Sequence, residues 1–407
     1  MAKVRKDSKG NILRTGECER KDGRYSFSYT VDKVRKVIYA KTLVELRIKE
    51  KKIKRDIEDG LDPGRADSMT LNQLFDKFIG QKYDIKNSTR VNYTYMYDRF
   101  VRNSLGRRVI GKIKYSDVKK FYQHLLENNA MKANTLETIH TVIHSAFTVA
   151  VRDDILRKNP ADQVMGEIKK SHHWKKEKVH ALEFSKQRAF VNYLKSHREY
   201  YGWVTIIIVL LGTGLRIGEC LALRWDDLDF DKKLIRVKHT YTYKPNGKGH
   251  SEKHIESTKS DAGIRVIPML DEVFEAFLQE YELQKCMGFC SEVIDGYTNF
   301  VFVKADGKIY SETAVNRAIH RIIDAYNREE TENAEMENRE PMLIPHFSAH
   351  VLRHTFCTRV CENESNIKVI QELMGHSDVS TTMNIYAEAT EEKKQEVIAK
   401  LQGKIIM

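Results

Sequence analysis

The chain has little of what marks special architectures. It has 6 prolines and 21 glycines in 407 residues, which excludes collagen-like and low-complexity sequence. Its 6 cysteines are scattered, too few for a disulfide scaffold. Cys286 with Cys290, and Cys357 with Cys361, show the i, i+4 spacing of one helix face. No C-x-x-C accompanies them, and their apolar surroundings point to plain buried thiols. Long apolar runs are also missing. The most apolar stretch, Trp203–Leu211, is far short of the roughly 20 residues that span a bilayer, so it reads as a buried helix. The opening MAKVRKDSKGN puts no apolar segment behind its charges, unlike a signal peptide. The expectation is a soluble, cytoplasmic protein without membrane contact, of two to three domains at about 150 residues each. No P-loop, carboxylate metal cluster or internal repeat occurs. Neither a nucleotide cofactor nor a metal is therefore expected.

What the chain has in surplus is positive charge, +12 overall, and it is unevenly placed. Basic residues outnumber acidic ones by 19 to 12 in residues 1–68 and by 18 to 10 in 69–170. In 171–407 they fall short, 32 to 35. A basic first part and a near-neutral second part suggest that one holds a polyanion while the other acts locally.

Along the chain, Tyr25, Phe27 and Tyr29 alternate with polar residues, the period of a strand. Asp22-Gly23 makes a turn before it, and KVRKVIYAK is a hairpin partner. Residues 42–59 form an amphipathic helix stopped by Gly60. A three-stranded sheet with its aromatic face on that helix leaves Arg20, Lys21, Arg24, Lys33, Arg35 and Lys36 for the other face, as in a β-ribbon reader of the major groove. LDPGRADS (61–68) reads as a linker. Helices follow over 71–82, 89–103, 116–128 and 133–157, with Thr70 and Ser88 as N-caps and Asn159-Pro160 as the final stop. Basic residues beside them, among them Arg90, Lys112 and Lys114, suit phosphate contacts. Residues 161–180 read as a second linker. Beyond lies a mixed region with strands near 233–240, 264–268 and 300–304. Its helices are expected over 184–197, 203–211, 216–223, 271–284, 311–327, 349–362, 367–374, 380–387 and 391–401, with 328–340 as an acidic loop.

Three segments carry chemistry. In Gly212-Thr213-Gly214-Leu215-Arg216-Ile217-Gly218-Glu219, glycines break a helix and set an arginine at the start of the next, the makings of an anion site. The plain alternative is a helical corner with Arg216 paired to Glu219. In His350-Val351-Leu352-Arg353-His354, residues 350, 353 and 354 share one helix face, a match for phosphate. The His-x-x-x-His spacing of zinc proteases needs Glu after the first His, and Val351 stands there. The third segment, Leu373 to Tyr386, reads helix, glycine turn, polar loop, short helix, with His376 in the loop and Tyr386 on the helix; a helix-turn-helix surface is the alternative.

Together and in this order these segments resemble the three boxes of the tyrosine recombinase (phage integrase-like) family, over residues 70–405 and more loosely the N-terminal sheet. The resemblance implies that Arg216, His350, Arg353 and His376 surround the scissile phosphate and that Tyr386 is the nucleophile. It implies Glu219 as supporter of Arg216, and Lys259, in the segment Glu256 to Pro268, as the family's β-turn lysine, with Lys253 a weaker rival. The implied fold is multidomain α+β: an arm-type DNA-binding sheet-and-helix domain (1–64), an all-α core-binding domain (69–165) and a mixed, mainly-α catalytic domain with a C-terminal tail (178–407). The layout is most similar to the integrases of conjugative transposons. That implies integration and excision of a mobile element through a 3′-phosphotyrosyl intermediate and a Holliday junction, on core-type and arm-type sites of double-stranded DNA. It also implies a homotetramer linked through the tail, and an accessory excision factor. The rivals are a type IB topoisomerase and a non-catalytic DNA-binding regulator.

Overall fold

The computed structural model describes residues 5–31, 34–83, 85, 87–128, 131–171, 174, 180–245, 251–258 and 261–387. The chain divides into two compact units, Met1–Glu177 and Lys178–Met407. Lys33, Lys259 and the expected helix over 391–401 lie outside the described residues.

The first unit opens with an antiparallel sheet of β1 (Glu17–Glu19), β2 (Tyr25–Val31) and β3 (Val34–Ala40), in that order. Tyr25 and Phe27 are buried with Leu43 and Leu46 of α1 (Leu43–Glu58). The Thr42 side chain caps α1 by accepting from the amide of Glu45, and Gly60 just beyond has a φ of +81°, where a side chain is disfavoured. The pairing register sets Tyr29 opposite Lys36 and Thr30 opposite Arg35. Lys36 therefore shares the helix-facing side with the aromatics, not the outer face expected for it. Alternation along a strand forces this once the aromatic face is fixed.

Residues 61–68 are not a plain linker. They form α2 (Pro63–Ser68), because Asp62 caps two amides and proline stands at the first helical position. Then come α3 (Leu71–Gln81), α4 (Asn87–Phe100), α5 (Tyr115–Asn128), α6 (Ala133–Arg152) and α7 (Val164–Ile168). Thr70 and Gln73 close a capping box on α3, whereas α4 begins at Asn87, so Ser88 lies inside it. The Phe75 and Tyr97 rings stack at 3.7 Å in the centre of this bundle. The last long helix ends at Arg152, ahead of the proline. Asp153 caps it and Asp154 turns into the left-handed region with φ +53°. Part of the expected second linker is core: Val164, Met165 and Ile168 are buried.

The second unit contains α8 (Phe184–Ser196), α9 (Tyr201–Thr213) and α10 (Ile217–Leu221). Strands β4 (Leu228–Asp229), β5 (Leu234–Val237) and β8 (Arg265–Pro268) form one sheet, in the order β4-β5-β8. Between them β6 (His239–Pro245) and β7 (Ser251–Ser257) pair as a hairpin. The expectation for this region stopped at residue 240, because alternating His, Thr, Tyr and Lys carries no strong apolar signal. The expected strand over 300–304 consists only of isolated bridges at Phe300 and Val303. Helices α11 (Asp271–Met287), α12 (Glu312–Met336), α13 (Ala349–Asn363) and α14 (Ile367–Met374) follow, and a further helix, α15, covers 379–387 at the end of the described residues. The apolar α9 is central, packed on α8, α11 and α13. The acidic stretch after 327 is helical to Met336 rather than a loop. Ala334 is buried there, and Glu330 holds Arg339 and the amide of Met342. Of the cysteine pairs, Cys357 and Cys361 are buried, but Cys286 is exposed; α11 ends at Met287, and Gly288 separates Cys286 from Cys290. Among the described residues, no helix is long and apolar enough to cross a membrane.

Candidate active site

Two glycine turns frame the site. Gly214 ends α9 and Gly375 ends α14, with φ of +62° and +63°, a conformation that glycine adopts without a side-chain penalty. A Cβ on Gly214 would run into the Phe356 ring and come within 3.1 Å of Met374 Sδ. One on Gly375 would stand 2.9 Å from the carbonyl of Ala262.

Arg353, on α13 and only 3% exposed, joins these turns. Its guanidinium donates to the carbonyl of Gly214 and, on the other branch, to that of Met374, both at 2.6 Å. Arg216, at the N-terminus of α10, donates to the carbonyl of Gly375 at 3.0 Å. It also donates to Glu219 Oε1 at 2.7 Å, and its amide donates to Oε2 of the same carboxylate. The plain helical-corner pairing and the anion site are thus one arrangement.

Glu219 is 2% exposed and has a second partner that sequence reading missed. Arg265, at the start of β8, donates to Glu219 Oε2 at 2.9 Å and to the carbonyl of Leu373 at 2.9 Å. The available signal was its alternation with Ile267, which is buried on the same strand: a cation on an inward face needs an acid. Burial pushes the Glu219 carboxyl up, but the guanidiniums of Arg265 and Arg216 outweigh it and hold the acid below its ordinary value. Two guanidiniums thus share one carboxylate, and with the charge of Arg353 felt beside them a positive surplus remains, suited to an anion.

The imidazoles complete this pole. His376 is buried, with Nδ1 2.9 Å from Thr382 Oγ1. Burial, then Arg353, Arg216 and Arg265, push its pKa down to about 4. His350 stands at the start of α13, where desolvation and then Arg353 lower its pKa. Burial and then Arg216 bring Arg353 itself down to about 9, still cationic at neutral pH. His354, one turn from His350, lies with Nδ1 3.5 Å from Thr358 Oγ1. Tyr386 of α15 is half-buried and packs with Ile385 on Cys357, Cys361, Ile370 and Met374. That cluster includes Met374, the residue whose carbonyl Arg353 holds.

The second-choice lysine, Lys253, pairs with Glu292 at 2.5 Å. In the first unit, Arg20 lies over the Tyr39 ring at 5.1 Å, and Arg35 is exposed beside Ser28. Lys21 is exposed, and Arg24 pairs with Asp22. Lys36 pairs with Asp62 at 2.8 Å. Arg90 donates to the carbonyls of Ile79 and Lys82, binding the end of α3 to α4. Lys112 and Lys114 are exposed.

Residues 176–393 match the phage integrase family, and residues 1–57 match the DNA binding domain of tn916 integrase. The transposase from transposon Tn916 of Enterococcus faecalis is 31% identical over 405 residues, covering 96% of this chain and 95% of the relative. Among solved structures, the Tn1549 transposon integrase in complex with transposon right end DNA superposes with a TM-score of 0.71 at 30% identity, over 82% of this chain and all of that one. The lambda integrase dimer bound to a COC′ core site shares the fold, with a TM-score of 0.51 at 14% identity over 92% of this chain and 95% of that one. The chain belongs to the phage integrase family: it is a tyrosine recombinase of the conjugative-transposon integrase type, and DNA is its substrate.

Proposed function

We propose that Tyr386 attacks the scissile phosphorus, forming a 3′-phosphotyrosyl ester as the 5′ oxygen of the next nucleotide leaves. The phenol proton passes to His350, and Lys259 protonates the departing oxygen. Rejoining reverses these steps with a 5′ hydroxyl from another strand, so the ester conserves the bond energy and no nucleotide is consumed. A phosphodiester resists attack because it is already anionic, and guanidiniums placed before the reaction offset the charge that develops in the transition state. One observation carries this reading: Arg353 and Arg216 hold the two glycine turns, and Ile385 and Tyr386 pack against the apolar cluster that includes Met374, whose carbonyl Arg353 holds. The lowered pKa of His350 keeps its imidazole neutral near pH 7, as a proton acceptor must be.

Paired cleavages on two duplexes pass through a Holliday junction and integrate or excise a mobile element. Residues 1–64 take arm-type sites on the outer sheet face, where Arg20, Arg35 and Tyr39 lie. Residues 69–165 and 178–407 take the core-type site. Four copies joined through the tail perform the exchange, with an accessory factor directing excision. The test is a nicked core-site suicide duplex resolved on a denaturing gel: the parent traps a covalent adduct, whereas Tyr386→Phe binds the duplex and traps none. Adduct retained by the Phe variant would assign the nucleophile elsewhere.

A further inference from the structure

We propose that Thr382 is a positioning residue for His376: its hydroxyl donates to Nδ1, so the imidazole keeps its proton on Nε2 and offers that N–H to the scissile phosphate. This rests on the reaction assigned above and adds a residue to it.

Thr382 is fully buried, and its Oγ1 lies 2.9 Å from His376 Nδ1. Among the described residues this is the hydroxyl's partner. A hydroxyl can donate or accept, but a buried one that only accepts leaves its proton unsatisfied. The neighbours of His376 are guanidiniums, Arg353 first, which favour a neutral ring. A neutral ring has one donor and one acceptor nitrogen, and whichever partner occupies Nδ1 decides which is which. With Thr382 donating there, the remaining N–H falls to Nε2.

The placement in sequence adds a second consequence. Thr382 precedes Tyr386 by four residues on α15, so the two share a helix face. The backbone of the His376 loop is held as well, since the Gln371 side chain donates to the His376 carbonyl at 2.9 Å. The Thr382 bond thus ties the helix of the nucleophile to the ring that completes the phosphate site.

The test uses the full-length chain with Thr382→Val, which keeps shape and removes the donor, and Thr382→Ser, which restores it. On the suicide duplex, Thr382→Val is expected to bind within about twofold of the parent but to form adduct about tenfold more slowly, with Thr382→Ser within about threefold of the parent. In ¹⁵N-histidine spectra, with His376 assigned by its loss in His376→Gln, the parent ring carries its proton on Nε2. Parental cleavage by Thr382→Val, Thr382→Ser as slow as Thr382→Val, or a parent ring protonated on Nδ1 would each overturn the role. Should Thr382→Val fold poorly, the parent ring spectrum and Thr382→Ser still decide it. A parent that never traps adduct would instead sink the assigned chemistry, and the spectrum would still judge Thr382.

Discussion

Arg265 Nη2 meets Glu219 Oε2 at 2.9 Å, so the carboxylate beneath Arg216 serves two guanidiniums at once. Removing one partner of a buried pair leaves the other under-compensated. Arg265→Met is expected to lower stability by about 3 kcal/mol in urea unfolding and to slow cleavage, because Glu219 then follows Arg216 alone. Glu219→Gln is expected to bind core DNA at least as tightly as the parent while cleaving more slowly. Parental cleavage by both variants would reduce this pair to scaffolding.

Arg216 spreads its two terminal nitrogens between Glu219 and the carbonyl of Gly375. Lysine keeps the charge but lacks the planar fork. Arg216→Lys is expected to bind core duplex within a few-fold of the parent and to lose about 100-fold in adduct formation, as read on the suicide duplex. Cleavage within a few-fold of the parent would mark Arg216 as structural.

Gly214 is bound by both conformation and space. Alanine there is strained at φ +62° and would meet the Phe356 ring. Gly214→Ala is expected to cost about 2 kcal/mol or more and to displace the carbonyl that Arg353 holds. Thermal unfolding of the second unit reads the first effect and adduct formation the second.

Acid should loosen the fold before it reaches ordinary carboxylates. His376 titrates near 6.5 when unfolded and near 4 when folded, and His350 is shifted the same way. The unfolded chain then binds more protons between those values, so stability rises with pH across this window. The contribution is fully present above about pH 6.5 and is lost as pH falls toward 4. Melting temperature is expected to drop over that range, and to drop less in His376→Gln. His140, also pushed down to about 4 by burial, makes the first unit respond in parallel, and His140→Gln separates the two.

The N-terminal sheet is anchored to its helical neighbours, which decides where it can be cut. Arg157 reaches Asp56 and Asp59, and Ala66 lies in the helical core. A chain beginning at Leu61 keeps α2 and is expected to cleave core sites while losing arm-site affinity. In the full chain that affinity should fall steeply with salt, since each neutralised phosphate contributes a slope of about −0.9. Undiminished arm binding by the shortened protein would move that contact elsewhere.

Much of the candidate site's placement is legible in the sequence because its residues sit on strongly punctuated elements. Gly214 and Gly375 announce helix ends, and His350, Arg353 and His354 fall on one helix face at a spacing visible in the sequence alone. Helix α14 matched its expected bounds because Asn366 caps it and Gly375 stops it. Arg265 and Thr382 were missed for one shared reason: their partners, Glu219 and His376, are found by tertiary packing and not by periodicity. The β6–β7 hairpin escaped because its polar alternation leaves no apolar face to read. The extension of α12 escaped because exposed acids resemble a loop until Arg339 and Met342 fold back on Glu330. The face of Lys36 depends on the pairing register with Tyr29, which composition does not carry.

The guanidinium of Arg353 clasps carbonyls that lie 139 residues upstream and 21 downstream of it. During synthesis on a ribosome, Arg216 is made 159 residues before Gly375, and Arg353 21 residues before Met374. Until those two carbonyls arrive, Arg353 and Arg216 each lack one of their anchors. An unfinished chain therefore carries the cations without the cage that aims them. The cage around the two arginines and the helix that bears Tyr386 therefore come together only once translation has passed residue 386.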